Sequence, residues 1–105
     1  MNYIEELQSV IKRLHKSDST HVETVSVKEV FGGQTVWDGE VEVFDLHDHP
    51  DALRVYAWTH KTDDTDNPKR HVTVLHIPPA TSPENAVKAS IISDYKEQNE
   101  RANSN

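Results

Sequence analysis

The chain has no cysteine among its 105 residues. Disulfides, thiolate metal sites and cysteine nucleophiles are excluded together. Glycine occurs only three times, so there is little from which to build a glycine-rich phosphate loop or a flexible linker. The longest uncharged apolar run falls far short of the roughly 20 residues that span a bilayer, so no membrane partner is expected. The opening stretch, MNYIEELQSV, carries two glutamates and no basic region, so it does not read as a secretory signal. These absences predict a soluble cytoplasmic protein. Positive charge is also scarce. Lys and Arg number 11 against 18 Asp and Glu, a net charge of −7. Such a surface repels phosphate backbones, and nucleic acid is not an expected partner.

What is present suits one small domain. Hydrophobic residues make up 34% and mean hydropathy is −0.75, so the core must be small and well patterned. Residues 2–16 predict a helix. Asn2 and Glu5 suit a capping box, and Ile4, Leu7, Ile11 and Leu14 recur at helical spacing beside Val10. Four strand-like segments follow. Residues 21–31 meet Gly32-Gly33, a two-residue hairpin signal, and 34–46 return. Residues 52–61 come after HDHPD, and 70–77 after the polar loop TDDTDNP. Pro78 and Pro79 end the last strand, since neither donates to a ladder. Ser82 caps a second helix with Pro83 at its first position.

The expected fold is α+β, two-layer, in the order α-β-β-β-β-α, with a four-stranded antiparallel sheet and both helices on one face. Residues 1–96 form the domain, and 97–105 read as a frayed polar tail.

Pairing His60 with His71 and Phe44 with Tyr56 sorts the strands into two unlike faces. One holds Val25, Val27, Val41, Val43, Leu53, Val55, Ala57, Val72 and Val74. The other holds Trp37, Phe44, Tyr56, Trp58, Leu75 and Ile77 among Arg54, His60, His71 and other polar residues. A bulge at Asp38-Gly39 keeps the first hairpin in phase, with Val25 beside Val41 and Lys28 near Trp37. The aliphatic face is the expected core, because burying the charges of the other is costly. That leaves an aromatic face outside. Three readings of it stand, in order of preference. It is a sheet-to-sheet homodimer surface, a solvated face of cross-strand aromatic pairs, or a platform for a small-molecule or protein ligand through Trp37, Phe44, Arg54, Tyr56, Trp58, His60 and His71.

The expected function is therefore non-catalytic binding or self-association, without a cofactor. The alternative is a small enzyme or a pH or ligand sensor using His60 and His71, with a carboxylate such as Glu42. No nucleophile elbow or paired-carboxylate signature appears. His47-Asp48-His49-Pro50 offers two imidazoles at i, i+2 and a carboxylate, but no further ligand at recognisable spacing. It reads first as a turn, with His47 and His49 as the subordinate metal candidates.

The α-β-β-β-α order resembles double-stranded-RNA-binding domains in topology. Their last helix opens with a basic cluster where this chain has SPENAVKAS, so the likeness carries no RNA function over. The segments HVETVSVKEVFGGQTVWDGEVEVFDL, HPDALRVYAWTH and RHVTVLHIPPATSPENAVKASI resemble a family of short, uncharacterised bacterial proteins over residues 3 to about 96. That resemblance implies a bacterial cytosolic single domain and assigns no site residue.

Overall fold

The computed structural model describes residues 2–61, 65–66 and 69–102, with side chains as far as Ser93. The elements are α1 (Tyr3–His15), β1 (Ser19–Phe31), β2 (Gln34–Leu46), β3 (Arg54–Lys61), β4 (Lys69–Leu75) and α2 (Pro83–Ala102). This is the expected α-β-β-β-β-α order, an α+β fold. The strands form one open antiparallel sheet in the order β1-β2-β3-β4.

The element ends follow local chemistry. The Glu5 amide donates to Asn2 Oδ1 at 2.8 Å, which opens α1. Lys16 closes it in the left-handed region at φ 58, its amide returning to the Lys12 carbonyl. Gly32 and Gly33 take φ 60 and 78, the two positive values of a type I′ hairpin turn. The Asn85 amide donates to Ser82 Oγ at 3.1 Å and starts α2. That helix continues through residues 97–102, which the sequence assigned to an irregular tail. Most of the TDDTDNP loop lies outside the described residues.

The registers place β3 one residue away from expectation on both sides. Val43 pairs with Tyr56, Phe44 with Val55, Thr59 with His71, and His60 with Arg70. A one-residue slip moves every side chain of a strand to the opposite face. In the first hairpin Val25 pairs with Val41, as expected, while Lys28 meets Asp38 and Glu29 meets Trp37. The irregularities fall between His21 and Glu23 and between Glu29 and Val30. Gly39 pairs regularly with Val27, so no bulge sits there. A Cβ on Gly39 would stand 3.2 Å from the Trp37 ring, so its small size serves a close approach.

Two apolar clusters result. Leu7 and Ile11 of α1 share one with Phe44, Leu46, Ala52, Val55 and Ala57. Ala86 and Val87 of α2 share the other with Val27, Val41, Val43, Tyr56 and Trp58. Successive strand residues point to opposite faces, so α1 and α2 cover opposite faces of the sheet. This corrects the expectation of both helices on one face. The physical reason is volume. The bulky Leu7 and Ile11 lie over the small Val55 and Ala57. The large Tyr56 and Trp58 lie under the small Ala86 and Val87. Each combination fills its layer. Burying each large apolar side chain contributes about 1.5–3 kcal/mol before entropy is counted.

Candidate functional site

The residues expected on an outer aromatic surface are mostly interior. Phe44, Tyr56 and Trp58 are 0%, 2% and 2% exposed. Trp37 is half-buried and meets Trp58 edge-on, with ring centroids 5.7 Å apart. This is a correction to the exposed aromatic face: α1 covers Phe44 on one side of the sheet, and α2 covers Tyr56 and Trp58 on the other. Arg54 remains half-exposed, with Nε 3.1 Å from Asp45 Oδ1. His60 is exposed, and its register partner Arg70 is exposed too. His71 pairs with Thr59 on the face that carries α1. There its Nε2 lies 2.8 Å from Glu6 Oε1. His60 and His71 therefore belong to opposite faces, and the expected His60/His71 couple is not brought together.

Glu42, the carboxylate suggested for that couple, has other partners. It is 4% exposed. It accepts from His21 Nε2 at 2.9 Å and from the Thr24 hydroxyl. The His21 ring stands edge-on to Phe44 at 5.3 Å. A buried carboxylate needs donors, and β1 supplies both across the strand pair. Sequence spacing gives no hint of this, because the irregularity between His21 and Glu23 sets which residues of β1 reach Glu42.

The His47-Asp48-His49 corner is built as a turn. Asp48 sits at φ 61. His49 Nδ1 accepts the amides of Asp51 and Ala52, each at 3.1 Å, so that nitrogen is occupied. His47 Nε2 lies 2.7 Å from Thr20 Oγ1. The two imidazoles thus serve separate partners. Among the described residues, no group of three or more His, Asp or Glu side chains is placed to hold a metal ion. His76 Nδ1 meets the Tyr56 hydroxyl at 2.5 Å. Burial pushes that hydroxyl above the usual phenol range. Arg54 opposes the shift, and Glu84 and Glu23 add to it.

The sequence reading missed a different surface. β2 pairs with β1 from Gln34 to Leu46, but with β3 only from Glu42 to Asp45. The β1–β2 hairpin therefore runs past β3 as a two-stranded arm. Its end carries Val30, Phe31 and Val36, exposed by 56%, 81% and 48%, and Val22 lies exposed farther along β1. β1 is also an edge strand of 13 residues. A signal was available, since the valines at positions 22, 30 and 36 fall outside the aliphatic face proposed for the same hairpin.

Comparison with known proteins adds no relative: no family model, curated protein or solved structure matches the chain. Among the described residues, no helix is long and apolar enough to cross a membrane.

Proposed function

We propose that the protein is a non-catalytic self-association module whose contact surface is the open edge of β1 and the apolar end of its arm. The observation behind this reading is the concentration of Val22, Val30, Phe31 and Val36 on one hairpin whose outer strand, β1, is an edge of the sheet among the described residues. An unpaired edge is a template for another strand. A second copy offers the same edge, and a twofold contact uses one patch twice. Burial of an aromatic such as Phe31 supplies the anchoring contact of such an interface. The proposed surface replaces the sheet face suggested by sequence, which α2 covers. A sensor or enzyme built on His60 and His71 has no comparable support, because the two lie on opposite faces. We also propose a cytosolic location, which the lack of cysteine supports.

Sedimentation equilibrium over a concentration series tests it. The wild type should show the mass of a dimer with a dissociation constant of about 10 μM or tighter, near −7 kcal/mol. Phe31→Ser should weaken association by at least about tenfold, or 1.4 kcal/mol, without altering the far-ultraviolet circular dichroism. A wild type that stays monomeric to about 1 mM, or a Phe31→Ser variant that associates as well as wild type, would remove the reading.

A further inference from the structure

We propose that two copies of the chain join edge to edge through β1 about a twofold axis at Val27, making one continuous antiparallel sheet. This rests on the self-association proposed above and fixes its geometry. The free edge of β1 can be read from its turn. In a β-turn the carbonyl of the first residue accepts the amide of the fourth. Phe31, facing Gln34 across Gly32-Gly33, therefore directs its backbone groups to β2. The direction alternates along an antiparallel strand. Val30, Lys28, Ser26 and Thr24 thus point their amides and carbonyls outward, where no strand lies among the described residues. The irregularity between Glu29 and Val30 leaves this phase intact, because the residue that the register skips is Val36 of β2. The one between His21 and Glu23 breaks it, because there Val22 of β1 itself is skipped. The regular free edge runs from Glu23 to Phe31, and Val27 is its midpoint.

Charge then selects the axis. Outward groups must meet outward groups, so a twofold axis passes through a residue and never between two. An axis at Ser26 sets Glu23 against Glu29 on both of its sides. At Lys28 it brings two lysines together, and at Glu29 two glutamates. Like charges directly opposite are destabilising. At Val25 it carries Val30 and Phe31 beyond the skipped Val22 of the second copy, where the two backbones fall out of phase. An axis at Val27 sets no like charges opposite and pairs the whole regular run with itself.

In that register Thr24 meets Val30 and Ser26 meets Lys28 through exchanged backbone bonds. Lys28 keeps Asp38 of its own β2 opposite it. On the other face Val25 meets Glu29, Glu23 meets Phe31, and Val27 meets its own copy. Val25 and Val27 belong to the cluster under α2, so alternation puts Phe31 on that side too. Its ring, 81% exposed in the single chain, gains the stem of Glu23 opposite and Val25 on the diagonal. The apolar end of the arm is thereby covered by the second copy. The axis stands normal to the sheet, so both copies of α2 lie on one side and both of α1 on the other.

Hydrogen exchange of the wild-type full chain, read at single amides above and below the dissociation constant, tests the axis. Association should slow the outward amides of Thr24, Ser26, Lys28 and Val30 at least about tenfold. Those of Val25 and Val27, already facing β2, should change much less. If Val30 slows while Thr24 stays fast, the axis lies nearer Lys28. If Thr24 slows while Val30 stays fast, it lies nearer Val25. Either result overturns the proposal and leaves self-association standing. A dimer whose four outward amides keep their monomer rates would overturn the axis and the edge contact alike. A chain that sediments as a monomer removes the reading above and this one with it. Introduced thiols give a second measurement, since the chain has no cysteine of its own. Hydrogen-bonded opposite residues have Cα atoms about 5.5 Å apart, a distance that a disulfide spans. An oxidised mixture of Thr24→Cys and Val30→Cys should form a mixed covalent dimer, and neither variant alone should link. A mixture that sediments as dimers yet stays unlinked would count against Val27 as the axis. Self-linkage of Ser26→Cys would place the axis at Ser26 instead.

Discussion

The two faces of β3 reach the same thickness by opposite means. Under α1 the strand is small and the helix large, with Val55 and Ala57 against Leu7 and Ile11. Under α2 the strand is large and the helix small, with Tyr56 and Trp58 against Ala86 and Val87. The faces differ in polarity as well. The α1 side carries the hydrogen-bonded seams Glu42–His21, Glu6–His71 and His15–Thr73. The α2 side meets its helix through aliphatic and aromatic contacts, with Tyr56–His76 as a polar contact just past the end of β4. Side-chain size, more than polarity, therefore decides which helix covers which face. A strand that alternates small and large residues can be buried on both sides when its two helices have complementary bulk.

The largest effect that bears on this comparison is removal of a large strand residue. Trp58→Ala should cost about 3–5 kcal/mol in urea unfolding, the usual range for deleting a buried aromatic. Leu14→Ala, at a half-exposed helix position, should cost no more than about 0.5 kcal/mol. If Trp58→Ala proved as mild as Leu14→Ala, the α2 face would not be a packed layer.

Much of the fold was legible in the sequence, and the reasons are local. Asn2 and Ser82 cap the helices because their short side chains reach back to free amides. Gly32-Gly33 make the turn because it needs two positive φ values. Neither choice depends on the rest of the chain. The register of β3 does. RVYAWTHK reads with Ala57 beside Val43 if one assumes a single covered face, and that assumption put Tyr56 and Trp58 in water. In the structure Tyr56 stands beside Val43, in the cluster that it shares with Ala86 and Val87 of α2 some thirty residues away. The candidate site failed for the same reason. His60 and His71 look like partners only in the slipped register, and Glu42–His21 is hidden because it depends on a strand irregularity.

The comparison sharpens if the small side of a layer is enlarged. Ala86 is fully buried against the aromatic cluster. Ala86→Leu adds volume where Tyr56 and Trp58 already fill the space and should cost about 1–3 kcal/mol. Combining it with Trp58→Leu, which removes volume from the same cluster, should cost less than the sum of the two single changes. A coupling of about 0.5 kcal/mol or more is expected for residues that share one packed space. Strict additivity in the double-mutant cycle would mean that helix and strand sizes are set independently.

The smallest effect tests how firmly Trp37 belongs to that layer. Gly39 lies in a regular strand pair, so alanine there meets no backbone conflict. Replacing a glycine at a compatible position stabilises by about 0.4–1 kcal/mol through the unfolded chain. Against this, the new Cβ would stand 3.2 Å from Trp37 Cη2, and the ring must give by a few tenths of an ångström. Trp37 is half-buried at the root of the arm, so it can tilt outward without displacing a helix. The tilt weakens its edge contact with Trp58, a geometry worth about 0.5–1.5 kcal/mol. The two terms nearly cancel, and Gly39→Ala should change stability by less than about 1 kcal/mol while altering the near-ultraviolet circular dichroism of the tryptophan pair. A loss well above 2 kcal/mol would show that Trp37 cannot yield, making the arm as tightly packed as the Tyr56 and Trp58 layer.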